Sequence, residues 1–210
     1  MNKPSEAIDR RVRKTKQQIK KGFVKLLSEK ELHDITVKEL TDMVDINRGT
    51  FYLHYKDIYD LLSHIEDEMM NELNALLDKH MVTNPTSLSN RFFIEVLQYV
   101  KQNAQLCLFF LKKKGDDHFY GRLKKMLEGR CTNYLVALNK NVELRSYEFF
   151  SAYVVTGTIG LIQQWLETGH RESIETIASL LTEIDNYTSI VNLNRLEAYM
   201  TQPLPISTKK

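Results

Sequence analysis

Apolar residues recur along this chain at the three- and four-residue spacing of amphipathic helices. The longest stripe follows Asp57 and continues for about five turns. Its members are Ile58, Leu61, Leu62, Ile65, Met69, Leu73, Leu76 and Leu77. No stretch alternates apolar and polar residues for long enough to indicate a sheet. The pattern therefore predicts an all-α protein of about nine helices.

The N-terminal part of the chain contains signals for three short helices. The opening dozen residues lack apolar periodicity and are expected to form a flexible basic arm, followed by a first helix from about Thr15. The segment Thr36–Glu39 has the Thr-x-x-Glu pattern of a capping box, which predicts the start of a second helix. Asn47 is suited to cap a third helix. Asp45, in the turn before it, can adopt the left-handed backbone conformation.

Positive charge is concentrated at the N-terminus although the formal net charge of the whole chain is only +2. Residues 1–25 contain nine basic side chains and two acidic ones. The basic residues are Lys3, Arg10, Arg11, Arg13, Lys14, Lys16, Lys20, Lys21 and Lys25. Such a block is often only a solvated face or tail, and nucleic acid is the alternative partner because phosphates are neutralised by clustered Lys and Arg.

Several functional classes are disfavoured by composition. No apolar run approaches the roughly 20 residues that span a bilayer, and no secretory signal is evident, so we expect a cytoplasmic protein without membrane attachment. Cys107 and Cys131 lack metal-ligand spacing and are interpreted as reduced, buried thiols. The chain also has no phosphate loop, nucleophile elbow or metal-binding His pair. We therefore predict no catalytic residue, no metal and no cofactor.

The predicted third helix carries an unusually polar face. Its residues able to form hydrogen bonds are Asn47, Arg48, Thr50, Tyr52, His54 and Lys56, whereas Phe51 is the evident core anchor. A three-helix unit of this size can be a purely structural module, but such a module does not need so polar a helix. A helix-turn-helix unit that contacts DNA does need one. A metal or catalytic role for His54 is disfavoured because no second ligand shares a recognisable spacing with it.

The segment from Ile35 to Leu62 resembles the DNA-binding signature of TetR-type regulators. The resemblance is carried by Gly49-Thr50-Phe51-Tyr52-x-His54-Tyr55-x-Asp57, followed by Leu61-Leu62. One departure is Val44-Asp45-Ile46 in the turn, where many members have Ala-Gly-Val. The resemblance implies an all-helical fold, with an N-terminal helix-turn-helix domain followed by a helical dimerisation and ligand-binding domain.

The resemblance also implies roles for individual residues. Asn47, Arg48, Gly49 and Thr50 would begin the recognition helix in the major groove, where Arg48 could bind guanine edges through two hydrogen bonds. Gly49 would allow close backbone approach. The residues expected to contact phosphates are Thr36, Tyr52, His54 and Lys56.

The resemblance divides the chain into three parts. Residues 1–56 would form the basic arm and DNA-binding domain, residues 57–188 the dimerisation and regulatory domain, and residues 189–210 a C-terminal tail. The last two long helices, predicted at 146–168 and 172–187, would pair with those of a second subunit. Burial within one chain is the alternative for these helices. The C-terminal region further resembles that of a Firmicutes group of TetR-like regulators, some of which resemble activators of dihydroxyacetone metabolism.

An unidentified small-molecule effector would bind between the central helices. The candidate residues are aromatic or imidazole side chains, which often form plain core instead. They are Tyr99, Phe109, His118, Tyr134, Tyr153 and Trp165.

The sequence therefore indicates a homodimeric regulator, expected to be a repressor, that binds double-stranded DNA at a roughly palindromic operator. The alternative is a TetR-like coactivator or protein-binding regulator that does not recognise an operator by itself. An enzyme is the third and least favoured interpretation.

Overall fold

The computed structural model describes residues 4–81, 89–111, 117–138 and 144–189, and side chains within 10–80, 89–111, 118–137 and 144–186. All regular structure in these ranges is helical, which confirms the all-α prediction. The α-helices are α1 (Pro4–Glu29), α2 (Val37–Met43), α3 (Arg48–Tyr52), α4 (Ile58–Met81), α5 (Asn90–Gln102), α6 (Ala104–Leu111), α7 (Asp117–Leu138), α8 (Leu144–Glu167) and α9 (Ile174–Ser189). A 3₁₀ turn at Leu32–Asp34 precedes α2. Of the predicted tail, residues 189–210, Ser189 ends α9 and residues 190–210 lie outside the described residues.

Two compact units make up the described chain. The first unit extends to Glu72 and also includes Gln105–Phe109, whereas the second comprises Leu73–Ala104 and the residues from Phe110 onward. Helix α4 therefore contributes residues to both units. No described helix has an apolar stretch long enough to span a lipid bilayer.

The first unit buries one apolar face from each of its helices. Its most completely buried side chains are Ile19, Phe23, Leu26, Leu40, Phe51, Leu61 and Ile65. A Cβ atom added to Gly22 would lie 2.3 Å from Val44 Cγ1 and 3.0 Å from Leu40 Cδ1. Glycine at this position is therefore what allows α1 to pack closely on α2.

The turn between α2 and α3 follows the predicted local signals. The Glu39 backbone N–H donates to Thr36 Oγ1 (3.2 Å), and the Gly49 N–H donates to Asn47 Oδ1 (2.7 Å). Both predicted N-caps are thus confirmed. Asp45 has a φ of 52°, and the Ile46 N–H donates to the Thr41 carbonyl (3.1 Å), which ends α2 with a left-handed residue.

The N-terminus differs from the sequence expectation. The opening dozen residues were expected to be a flexible arm, but α1 begins at Pro4 and continues without interruption to Glu29. Proline is favoured in the first turn of a helix because its fixed φ suits the helix and its missing N–H is not needed there. Arginine and lysine from Arg10 to Lys14 are good helix formers, so helix propensity extends the element beyond the apolar stripe.

The second unit packs α5 against α9 and α7 against α8. One part of its core is formed by Leu135, Tyr147 and Phe150. Arg130 on α7 donates to Asn74 Oδ1 (2.8 and 3.0 Å) and to Asp78 Oδ1 (2.6 Å), and so joins α7 to the C-terminal half of α4. These contacts fix which face of each helix packs into the bundle. The core of the bundle is mostly aromatic and aliphatic.

Two helix ends in this unit each depend on one residue. The Phe92 N–H donates to Ser89 Oγ (3.3 Å), so Ser89 caps α5. After α8, Gly169 has a φ of 76°, and the His170 N–H donates to the Trp165 carbonyl (3.1 Å). This is the same type of left-handed helix end as at Asp45.

Candidate nucleic-acid interface

Helix α3 separates a buried side from a polar, solvent-facing side. Phe51 is fully buried, whereas Tyr52 and Leu53 are 57% and 80% exposed. Of the remaining residues predicted to contact DNA, Thr50 and His54 are half-buried, and the others are exposed, namely Thr36, Asn47, Arg48, Gly49 and Lys56. The first unit therefore brings the eight predicted residues onto α3 and the two segments beside it, with none of them in the core.

The buried rings of Phe51 and Tyr55 pack α3 against the core of the first unit. The Phe51 ring lies 5.6 Å from the rings of Tyr52 and Tyr55, with the Tyr52 ring nearly perpendicular at 87°. Tyr55 in turn contacts the ring of His64 on α4 at 5.3 Å. Burial, with smaller contributions from the negative charges of Glu68 and Asp60, raises the pKa of Tyr55 to about 12. Tyr55 is thus a neutral packing residue that fixes the end of α3.

The anchoring role of Tyr55 was not predicted from the sequence. The Gly-Thr-Phe-Tyr run drew attention to polar side chains, whereas Tyr55 falls outside the apolar stripe of any one helix. A usable signal was its position four residues after Phe51, which is the spacing of two side chains on one helical face.

His54 and Lys56 differ in how their environment prepares them for an anion. Burial, and secondarily the charge of Lys16, lower the pKa of His54. His54 is therefore mainly neutral at pH 7 and would donate to a phosphate through one ring N–H. The Lys56 side chain is exposed, and its backbone N–H donates to Asp60 Oδ2 (2.9 Å). That contact holds the backbone of Lys56 in place, while its ammonium group lies in solvent.

Gly49 faces solvent and does not touch another helix. A Cβ atom added there would approach only Asn47 Oδ1, at 3.2 Å, among the described atoms. The expected need for glycine at this position therefore does not arise from packing within the first unit. The position is open to approach from outside the chain.

The six residues expected to bind an effector differ in burial. Tyr153 is 71% exposed and His118 is also exposed, so both expectations of an interior position were wrong. Their helices turn these positions outward although the residue types suit a core. Phe109 belongs to the first unit, whereas the other five belong to the second.

The three remaining candidates do lie in or near the interior of the second unit. Trp165 is buried, and its Nε1–H donates to the Glu172 carbonyl (3.0 Å), which ties the end of α8 to the segment before α9. Tyr99 is half-buried. Tyr134 is also half-buried, and within the described ranges its buried hydroxyl oxygen has no hydrogen-bond partner. Burial raises the pKa of Tyr134, with further contributions from Asp185 and Cys131.

Comparison with known families gives a match over the C-terminal half. Residues 87–186 match a family model described as a transcriptional regulator C-terminal region, of the TetR type. An uncharacterized HTH-type transcriptional regulator of Bacillus subtilis, YxbF, is 24% identical over 170 residues. The alignment covers 80% of this chain but 43% of YxbF, so the chain spans less than half the length of that relative.

Solved structures share the fold over most of the chain. A TetR transcriptional regulator from Streptococcus agalactiae has a TM-score of 0.59 and 20% identity, with 86% of this chain and 98% of that chain covered. The dihydroxyacetone kinase operon activator DhaS has a TM-score of 0.54 and 17% identity, with 83% and 96% covered. FadR from Bacillus subtilis, solved with stearoyl-CoA, has a TM-score of 0.58 and 15% identity, with 80% and 96% covered. At these identities the likeness concerns the fold.

Proposed function

The chain belongs to the TetR family of transcriptional regulators, and on this premise we propose that it binds a roughly palindromic operator in duplex DNA as a homodimer. Regulators of this family are not enzymes. The observation that carries the proposal is the division of α3 into a buried Phe51 and an outward polar face. A helix of this kind, mounted on a packed core, has the geometry of a major-groove recognition element.

Base recognition is assigned to the N-terminal end of α3. Arg48 is exposed in the first turn, directly after the Asn47 cap, and its planar guanidinium group is suited to the two acceptors on a guanine edge. Thr50 lies half-buried two residues later. Gly49 between them has no side chain, so the helix backbone can approach the groove closely.

Phosphate binding is assigned to residues on both sides of α3. Thr36 caps α2, Tyr52 ends α3, and His54 and Lys56 follow α3. Hydroxyl, imidazole N–H and ammonium groups all donate hydrogen bonds to phosphate oxygens. These contacts would set orientation and affinity without selecting a base.

The second unit supplies a surface suited to a second copy of the chain. Along α8, Phe149 and Tyr153 are 58% and 71% exposed, and one face continues through the exposed Gly157 and Gly160. A Cβ atom at either glycine would meet nothing within 4 Å in this chain. On α9, Leu180 and Ile184 are also exposed. Exposed apolar residues beside small ones favour close packing of a partner helix.

A two-fold dimer would place its two α3 helices about 34–36 Å apart, one turn of DNA. This spacing is the reason for expecting a palindromic site. We propose repression as the outcome, controlled by a small molecule that binds the DNA-competent and incompetent states with unequal affinity. The partly buried Tyr134, whose hydroxyl oxygen is enclosed, is the candidate polar contact of such an effector.

Two substitutions on α3 and after it test the DNA proposal. Arg48→Ala should relax the preference for particular bases, because it removes a groove contact. Lys56→Ala should weaken binding to all duplexes and reduce the slope of log K against log salt by about one unit per subunit. Fluorescence anisotropy on a selected duplex and a scrambled duplex measures both effects. Equal changes in both variants on both duplexes would contradict the assignment of roles.

The dimer proposal has its own test in the glycines of α8. Alanine at Gly157 would stabilise an isolated helix, since alanine is the better helix former. If the face packs against a second copy, Gly157→Leu should instead shift the protein toward monomer in sedimentation velocity. Gly129→Leu on α7, where added atoms also meet open space, is the matched control. A wild-type protein that sediments only as a monomer would contradict the homodimer.

A further inference from the structure

Leu53, directly after α3, is an apolar residue on the polar side of the first unit. Its side chain is 80% exposed, more than any other large apolar side chain in the described ranges. A single exposed leucine is common on protein surfaces and does not by itself indicate a binding site. Leu53 differs from such a residue because its neighbours, Tyr52 and His54, are both assigned to DNA contact. Its exposure therefore has to be explained together with theirs.

The backbone on both sides of Leu53 is held in place, so the direction of its side chain is fixed. The Leu53 N–H donates to the Gly49 carbonyl (3.2 Å), and the Tyr55 N–H donates to the Phe51 carbonyl (3.0 Å). Phe51 and Tyr55, two residues before and after Leu53, are both buried. Because residues two apart in a helical turn point in nearly opposite directions, Leu53 faces away from the core. It shares its face with the exposed Gly49, four residues earlier.

The charge around Leu53 restricts what can cover it. Residues 46–56 contain two basic side chains, Arg48 and Lys56, and no acidic one, and both basic residues are exposed. A complementary partner presents anions and, beside them, an apolar group small enough to meet one leucine. Duplex DNA has both, since phosphates border the major groove and the thymine C5-methyl group is the apolar group on its base edges.

We propose that Leu53 contacts the C5-methyl group of a thymine in each half-site of the operator and is a determinant of base preference in addition to Arg48. This inference rests on the proposed function, because it requires the outward side of α3 to lie in the major groove. Arg48 would select guanine through hydrogen bonds. Leu53 has no polar side-chain atom and would distinguish thymine from cytosine, which lacks the methyl group, through apolar contact.

The test removes the methyl group from the DNA and the leucine from the protein, separately and together. Single thymines in each half-site of the duplex selected by the wild-type protein are replaced with deoxyuridine, which keeps base pairing and lacks only the C5-methyl group. Dissociation constants are measured by fluorescence anisotropy for the wild-type protein, Leu53→Ala and Leu53→Met. Leu144→Ala is the matched control, because it makes the same change at a 55% exposed leucine of the second unit.

The expected effect follows from the burial of one methyl group in each half-site. Such burial changes an equilibrium constant by about fourfold, so deoxyuridine at one position in both half-sites should weaken wild-type binding by up to about 15-fold. Leu53→Ala should bind the thymine and deoxyuridine duplexes equally. Leu53→Met keeps an apolar side chain and should retain most of the discrimination, whereas Leu144→Ala should match the wild-type protein.

Three results would overturn this inference while leaving the proposed function intact. The first is a selected half-site without thymine, or wild-type binding that deoxyuridine does not weaken at any position. The second is discrimination that persists in Leu53→Ala, because another residue would then contact the methyl group. The third is wild-type affinity of Leu53→Ala for the thymine duplex, which would indicate a partner other than DNA for this side chain.

Failure of the proposed function gives a different result. If the wild-type protein selects no duplex from a random pool, the proposed function fails and this inference fails with it. Circular dichroism of each variant checks that the fold is retained, as expected for substitutions at exposed positions.

Discussion

The helix-turn-helix region and the α7–α9 region are both helical, but they differ in how closely local sequence determines side-chain position. In the first region, short helices begin and end at residues with a specific capping or turn role, such as Thr36, Asn47 and Asp45. In the second, helices of up to 24 residues present many apolar side chains, and helix phase decides which are buried. A capping residue therefore indicates where individual side chains lie, whereas the pattern of a long apolar helix indicates only that a helix is present.

The largest expected effect concerns the core of the first region. Phe51→Ala should destabilise the first unit by roughly 3–5 kcal/mol, because it removes a fully buried ring that contacts Tyr52 and Tyr55. Hydrogen exchange measured peptide by peptide should show α1–α3 exchanging faster, whereas α7–α9 keep their protection. Leu53→Ala, at an 80% exposed position two residues away, should change stability by less than about 0.5 kcal/mol. Equal effects of the two substitutions would contradict the assigned orientation of α3.

A second prediction compares two helical glycines. Gly22→Ala should cost about 1–3 kcal/mol, because the added Cβ would overlap Val44 Cγ1, 2.3 Å away, and separate α1 from α2. Gly129→Ala on α7 should stabilise the protein by up to about 1 kcal/mol, since that Cβ meets open space and alanine favours helix. Chemical denaturation of both variants checks the opposite signs. A neutral Gly22→Ala would mean that α1 and α2 are less closely packed than described.

These contrasts also explain which parts of the molecule could be predicted from sequence. The caps at Thr36 and Asn47 were predicted correctly because each depends on one side chain and a backbone N–H two or three residues away. The close approach at Gly22 was missed because it depends on Val44, which is distant in sequence. A glycine inside a helix gives no local sign of what lies opposite it.

The flexible N-terminal arm and the expected burial of Tyr153 and His118 differ from the structure for other physical reasons. The start of α1 was placed too late because apolar periodicity marks the packed part of a helix, whereas propensity extends it to Pro4. Tyr153 and His118 were expected in the interior on residue type alone, but type does not determine which way a residue on a long helix faces. The positions assigned to DNA contact were exposed or half-buried as a surface role requires, and their contact with DNA stays a prediction.

A third prediction uses the left-handed residues that end helices in the two regions. Gly169→Ala after α8 should cost about 1 kcal/mol, because a Cβ is unfavourable at a φ of 76°. Asp45→Gly after α2 should stabilise by about 0.5 kcal/mol, since it relieves the same strain at a φ of 52°. Thermal unfolding of the pair measures both changes. A stabilising Gly169→Ala would indicate that the residue does not keep this conformation in solution.

The last prediction compares how one group in each unit changes the free energy of unfolding as the pH falls below neutral. In the first unit, the pKa of His54 is lowered, so the unfolded chain takes up a proton first as pH falls below about 6.5, and stability decreases in that window. In the second unit, hydrogen bonds from Lys79, His80 and Arg91 lower the pKa of Glu95 to about 2. The stability that these contacts contribute is complete above about 4.5 and is lost as pH falls toward 2.

The two titrations can be separated by substitution. His54→Gln should flatten the pH dependence just below 6.5 and leave the more acidic part unchanged. Glu95→Gln should flatten only the range between 4.5 and about 2. Free energies of unfolding measured from pH 7 down to about pH 2 check both expectations. A Glu95→Gln variant with the wild-type acid dependence would show that the Lys79–Glu95 contact at 2.6 Å does not persist in solution.

The central claim is that the outward face of α3 contacts duplex DNA and is presented twice by a symmetric pair of chains. Selection of bound fragments from a random duplex pool, with the full-length protein and with Arg48→Ala in parallel, tests it most directly. The account predicts that the wild-type protein enriches two inverted half-sites with centres about one helical turn apart, and that Arg48→Ala loses preference at matching positions in both. Enrichment of a single unpaired site, or the same enriched site in both proteins, would contradict the claim.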